Sequence, residues 1–225
     1  MAVLFRGGCL LPARQNNAVF VAPVQVSSVA SATISSCNFT RNSGVTGGAV
    51  YLSNIPDGLL SDLRFVGNVA RVGGGALFAA NTSVLVQGST FESNSAGGVF
   101  PPPPVIDSLL FLSESTVSAT ALATELSVAV ATVLQTESVS SCGGAIWAGG
   151  AVQSSSLQTR DSSFVANSAP FGGSVCLAEG GTAAVVGSCS FDSGTAAAST
   201  IGWHVAVAPG TTSSVALSEY ANTII

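Results

Sequence analysis

Apolar positions along this chain come in short runs at period two, each closed by Gly, Asn, Ser or Asp. In Val50-Tyr51-Leu52, Leu77-Phe78-Ala79 and Ile146-Trp147-Ala148 an aromatic residue sits between two aliphatic ones. In an extended strand, side chains alternate between faces. Val50 with Leu52, Leu77 with Ala79 and Ile146 with Ala148 therefore share an inward face, and Val175 with Leu177 does the same around Cys176. A second kind of run is rich in valine, as in Ser83-Val84-Leu85-Val86 and Ala184-Val185-Val186, and closes at Gln87-Gly88 or Gly187-Ser188. A third is brief and ends in phenylalanine, as in Ser89-Thr90-Phe91 and Cys189-Ser190-Phe191. Short runs punctuated this way predict strands joined by tight turns.

The three runs recur as a unit. Phe39-Thr40-Arg41-Asn42 leads to Gly47-Gly48, Phe65-Val66-Gly67-Asn68 to Gly74-Gly75, and Phe164-Val165-Ala166-Asn167 to Gly172-Gly173. Phe39, Phe65 and Phe91 stand 26 residues apart, and Phe164 and Phe191 stand 27 apart. A fixed period of this size marks a solenoid, because each unit buries its apolar face only by stacking on the next. Three strands and three turns per unit predict an all-β, right-handed parallel β-helix (a pectin-lyase-like solenoid) with about five recognisable rungs. Phe39, Phe65, Phe91, Phe164 and Phe191 form an inward ladder, each burying roughly 150–250 Å². Asn42, Asn68, Asn94 and Asn167 stand three residues later, where the chain turns; Asn tolerates the left-handed region, and stacked copies hydrogen-bond along the axis. The glycine pair supplies positive φ and lets neighbouring rungs approach closely.

The same pattern divides the chain. Residues 1–98 read as rungs, and in them Gly7-Gly8-Cys9-Leu10-Leu11 reads as the first strand of a rung whose upstream half is missing. Ala18-Val19-Phe20-Val21 and Ser31-Ala32-Thr33-Ile34 lead into the rung at Phe39. Phe91-Glu92-Ser93-Asn94 opens another unit, but its glycine pair is delayed to Gly143-Gly144. Residues 99–141 are therefore an insertion, with Pro101 to Pro104 as a stiff lead-in and room for a short helix over Ala119 to Leu134. Rungs resume over 142–225. After Phe191 the pattern decays: Gly194 takes the Asn position, and Val215, Leu217 and Tyr220 approach the next Phe position. Neither end carries the polar cap a solenoid needs, which predicts further rungs of a longer protein.

The FxxN and GGA(I/L/V) motifs, once per rung and in this order, resemble the repeats of the chlamydial polymorphic outer-membrane proteins and related β-helix proteins. The resemblance covers roughly residues 37–98 and 142–195. It implies a surface-exposed, adhesin-like passenger domain. The C-terminal barrel and secretion signal of that family have no counterpart in this sequence, so the anchoring mechanism does not carry over.

Composition narrows the function classes. Only 8% of residues are charged against 47% hydrophobic, and the net charge of -5 with a pI near 4.5 excludes a nucleic-acid partner, which needs clustered cations. Five cysteines (Cys9, Cys37, Cys142, Cys176, Cys189) at irregular spacing, with one histidine, do not make a zinc set; they allow at most two disulfides, and their plain reading is buried apolar residues. Met1 to Leu11 does not read as a signal peptide, and the tract from Ala119 to Leu134, which carries Glu125, does not read as a membrane span. No cofactor or metal is implied. The acidic residues are scattered: Asp57 and Asp62 lie near Arg64, while Glu92 and Asp192 follow their phenylalanines in rungs far apart. His204, in Trp203-His204-Val205, reads as a strand histidine without a nucleophile beside it. What folding leaves over is the row Tyr51, Phe78 and Trp147, outward between the aliphatic pairs with Cys176 next, as a binding face for a glycan or a surface protein. The sequence thus predicts a non-enzymatic surface or secreted display scaffold; the alternatives are a carbohydrate-active β-helix, or a gene fragment without independent function.

Overall fold

The computed structural model describes residues 2–11, 22–97, 142–150, 156–170, 172–178, 183–192, 205–207, 214–217 and 223–224; at 5–11, 183–186, 205–207, 214–217 and 223–224 it describes the backbone. They belong to one compact unit comprising Met1–Gly98 and Ser141–Ile225. The expected insertion at 99–141, its proline lead-in and its helix, together with 18–21, Gly194, His204 and Tyr220, lie outside the described residues.

The chain folds as the expected parallel β-helix. Every strand pairing is parallel and joins one rung to the next, and no helix occurs among the described residues. One face stacks Val24–Ser27 on Val50–Ser61, then on Leu77–Gln87, Ile146–Gly149, Val175–Ala178 and Val205–Val207. Its inward residues are the expected aliphatic pairs: Val50, Leu52, Leu77, Ala79, Ile146, Val175 and Leu177 have no exposed surface and Ala148 has 1%. A second face stacks residues 83–87 on 156–160, then on 183–187 and 214–217, so Val215 and Leu217 lie on the strand that leads toward the next Phe position. The third face carries the phenylalanines, which pair in register from Phe39 through Phe65, Phe91 and Phe164 to Phe191. Their rings stack at 4.8–4.9 Å between centroids, close to the spacing of adjacent strands.

The asparagines make the expected axial ladder. Asn42 Nδ2 donates to Asn68 Oδ1 at 3.0 Å, Asn68 Nδ2 to Asn94 Oδ1 at 2.8 Å, and Asn94 Nδ2 to Asn167 Oδ1 at 3.0 Å. Each of these acceptors also takes the backbone N–H of the asparagine one rung back. The second amide proton reaches a phenylalanine carbonyl: Asn68 to Phe39, Asn94 to Phe65 and Asn167 to Phe91. All four side chains are buried, so these bonds satisfy polar groups that water does not reach.

Several expectations need correction. The left-handed residue at the asparagine corner is not Asn but the one before it: Arg41, Gly67, Ser93 and Ala166, at φ of 52–61°. The ladder holds Asn in place, and the residue before it, exposed or half-buried, absorbs the turn. The first two faces are not separated by a full turn; Val50–Ser61 and Leu77–Gln87 run through the corner with a register shift between Ile55 and Gly58, bent at left-handed Asn54 and Asn81. A short extra strand follows Asn42, Asn68 and Asn94, at Ser43–Thr46, Val69–Gly73 and Ser95–Ala96, and after Asn167 only a single bridge among the described residues, from Ser168 to Ser95, remains. Gly7-Gly8 does not open a first strand: Ala2–Leu11 pairs with Ser31–Thr40, placing Cys9 beside Cys37 and Leu11 beside Phe39, with the glycines at a register shift between the second and third faces. The next occupant of the Phe column after Phe191 is Ile224, not the approach at Tyr220.

The two glycines of each pair do different work. Gly47, Gly74, Gly143 and Gly172 adopt φ of 54–70°, as a tight corner requires. Gly75 has no room for a side chain because a Cβ there would run into the Gly144 carbonyl of the next rung and the backbone of Ser95.

Candidate functional site

Tyr51, Phe78 and Trp147 stand on adjacent rungs in direct register, on the side of the first face opposite the aliphatic pairs. Parallel pairing in register superposes identical positions, so an aromatic residue at each makes a stack. Tyr51 and Phe78 lie 5.5 Å apart between centroids at 9°, and Phe78 and Trp147 lie 3.9 Å apart at 1°. The ring planes therefore lie across the solenoid axis, with faces against one another and edges outward. Tyr51 and Phe78 are half-buried, whereas Trp147 is 7% exposed.

The row continues to Cys176, the register partner of Trp147. Cys176 forms a disulfide with Cys142, with Cα atoms 5.6 Å apart and 34 residues of sequence between rungs. Cys142 also bridges Gly73 in parallel, immediately ahead of the glycine pair that resumes the interrupted rung. Cys142, Trp147, Cys176 and Ala178, with Phe78 and Ala80 against them, form an apolar cluster separate from the core. The plain reading of cysteines as buried apolar residues thus fails for this pair. It holds for Cys37 and Cys189, both buried: the Cys37 thiol donates to the Ser35 carbonyl at 3.3 Å and the Cys189 thiol to the Gly187 carbonyl at 3.2 Å. Burial pushes the Cys189 thiol above its ordinary pKa, against its hydrogen bonds with Ser162, Thr159 and Gly187, which lower it.

Among the polar side chains, Arg64 pairs with Glu92 of the next rung at 2.9 Å, on the exposed surface, and not with Asp57 or Asp62. Glu92 and Asp192 are closer than their numbering implies, with only Val165 between them in register. Two rung steps put their backbones about 9–10 Å apart. A shallow open groove of about 210 Å³ runs past Thr90, Asp161, Ser163 and Ser190. Among the described residues no three His, Cys, Asp or Glu side chains gather as metal ligands. No helix of the described residues is long and apolar enough to cross a membrane.

The structure thus brings Tyr51, Phe78 and Trp147 together as one stack, and places the recurrent Phe, Asn and Gly residues within the rungs. The element that sequence reasoning missed is the Cys142–Cys176 disulfide. Its signal was available in the rung alignment, which sets Cys176 in the aromatic row and Cys142 just ahead of Gly143 one rung away. Set against known proteins, the chain matches no protein-family model, no curated protein and no solved structure.

Proposed function

We propose that this chain is an extracellular or cell-surface β-helix segment acting as a non-enzymatic, adhesin-like display scaffold. Its contact surface is the outer row at Tyr51 and Phe78. The observation that carries the reading is that this row closes on the Cys142–Cys176 disulfide. Disulfides of this structural kind persist in oxidising compartments. The row itself does no work in the rung-to-rung ladders of the core, and the resemblance of the FxxN and GGA motifs to surface-protein repeats points the same way. Of the two partner classes, the ring geometry favours a protein. Stacking on a sugar uses an open ring face, and here the faces are spent on one another, leaving edges for apolar side chains.

Binding of the fluorescently labelled chain to cultured cells, read by flow cytometry, tests this. A Tyr51→Ala, Phe78→Ala double variant that retains its β circular dichroism should bind at least tenfold less. Undiminished binding by that folded variant would count against the row as the contact surface.

One observation favours a second reading. Glu92 and Asp192 share an outer strip with backbones two strand steps, about 9–10 Å, apart, from which their carboxylates can reach the roughly 6.5–9.5 Å spacing of an inverting glycosidase. Glu92 is engaged by Arg64, which makes this the weaker reading. Release of reducing sugar from a panel of acidic and neutral polysaccharides, abolished by Glu92→Gln, would establish it in place of the scaffold.

A further inference from the structure

We propose that Asn38 is an acceptor for an N-linked glycan. Asn38-Phe39-Thr40 has the Asn-x-Ser/Thr form that glycan transfer requires. The same form recurs at Asn81-Thr82-Ser83, so sequence alone does not choose between them. The structure does. In the strand Ser31–Thr40, Cys37 and Phe39 point inward at 2% and 1% exposure, and the alternation turns Asn38 and Thr40 outward together. Asn38 is exposed and Thr40 half-buried. Asn42, Asn68, Asn94 and Asn167 are committed to the buried ladder, and Asn81 Nδ2 donates to Asn54 Oδ1 at 3.3 Å. Among the described residues, Asn38 is the asparagine whose side-chain amide makes no hydrogen bond. Its register neighbour Arg64 is drawn onto Glu92, one rung further from Asn38, which leaves the flank open.

Asn81 is unsuited to the same modification. It sits in the left-handed region at φ 50°, its amide oxygen lies against the backbone of Gly150, and the middle residue Thr82 is 1% exposed, with its hydroxyl donating to the Ala80 carbonyl at 2.8 Å. A bulky group on Asn81 would open the Asn54–Asn81 contact and press on the next rung. On Asn38 it projects away from the third face and disturbs neither the Phe nor the Asn ladder.

The transfer balances with a lipid-diphosphate-linked oligosaccharide as donor. The Asn38 amide nitrogen forms a bond to C1 of the first sugar, and the bond from C1 to the diphosphate oxygen breaks, its electron pair leaving with the lipid diphosphate. The amide gives up one proton. The inference rests on the extracellular reading, because such donors are met on the secretory route.

The test is peptide mass spectrometry on the full chain recovered from the secreted or surface fraction of cells that make it. Treatment with a peptide N-glycosidase in heavy-oxygen water should convert Asn38 to labelled Asp and leave Asn81 untouched. Asn38→Gln and Thr40→Ala should each remove the glycan without lowering the melting temperature by more than a few degrees. A bare Asn38 overturns the proposal. The same digest reports Cys142 and Cys176: if they are joined while Asn38 is bare, the proposal alone fails, and if both are reduced thiols, the extracellular reading fails with it.

Discussion

Among the described residues two aromatic stacks are built on the same rungs, and they differ in nearly every other respect. The inner stack repeats one residue type five times, Phe39 to Phe191, at an even 4.8–4.9 Å and within 11° of parallel. The outer stack uses three residue types, spaced 5.5 and 3.9 Å, and gives way to a disulfide at its fourth position. The inner rings are almost wholly buried, and their column is bordered by the asparagine ladder, so any change of shape at one rung is felt by its neighbours. Of the outer rings, Tyr51 and Phe78 are half-buried, while Trp147 is covered by the apolar cluster around Cys142 and Cys176. Identity of residue type along a column therefore marks where stacking dictates the sequence, and variety marks where it does not. That is why the outer row is the place to look for contact with another molecule.

The largest expected effect is at the glycine column that sets the rung spacing. Gly75→Ala places a Cβ against the backbone of two other segments, neither of which yields as a side chain would. This variant should show no cooperative unfolding transition by circular dichroism. Phe91→Ala breaks the inner stack at its centre and should lower stability by about 3–5 kcal/mol in chemical denaturation, as other buried Phe-to-Ala changes do. Replacing both cysteines, Cys142→Ser with Cys176→Ser, removes a cross-link closing a loop of 34 residues. The chain-entropy account makes this worth about 3–4 kcal/mol, measurable as a drop in the denaturation midpoint that reducing agent reproduces in the parent. Tyr51→Ala trims the half-buried end of the outer stack and should cost only about 1 kcal/mol. Equal losses at Phe91 and Tyr51 would erase the distinction between the two stacks.

The position of the disulfide also makes energetic sense. Between Asn68 and Gly74 the chain needs one short strand, whereas between Asn94 and Gly143 it runs through the long segment that begins after Gly97. Lengthening a connection about tenfold costs about 2 kcal/mol in closure entropy. The cross-link at Cys142 stands where the chain rejoins the solenoid, and its contribution is of the size needed to offset that loss.

Much of the fold was legible because stacking repeats side chains. The Phe and Asn columns, the aliphatic pairs and the glycine pair all announce themselves by recurrence, and the structure uses each in the ladder or corner expected of it. What recurrence cannot mark was missed. The left-handed corner before each asparagine is filled by Arg41, Gly67, Ser93 and Ala166, four residue types with nothing in common in the sequence. The short strands after Asn42, Asn68 and Asn94 have no shared pattern: Ser43–Thr46, Val69–Gly73 and Ser95–Ala96 differ in length and composition. Gly7-Gly8 misled because a glycine pair ahead of apolar residues fits two corners of a rung equally well. Of the candidate site, the aromatic row was legible from the period-two alternation. The disulfide was less so: Cys142 precedes Gly143 whereas Cys176 follows Gly173, so the two cysteines do not share a repeat position and only the alignment of two successive rungs brings them together.

The central feature of the fold is that the solenoid runs in unbroken register through the interruption after Gly97, with Asn94 stacked on Asn167 across 73 residues of sequence. A double-mutant cycle with Asn94→Ala and Asn167→Ala, read by urea denaturation, measures this contact directly. Side chains that share a buried hydrogen-bond network should show a coupling of about 1–3 kcal/mol, with the double variant losing less than the sum of the single ones. Additive losses, within about 0.5 kcal/mol, would mean that the two asparagines do not meet and that the rungs before and after the interruption do not form one ladder.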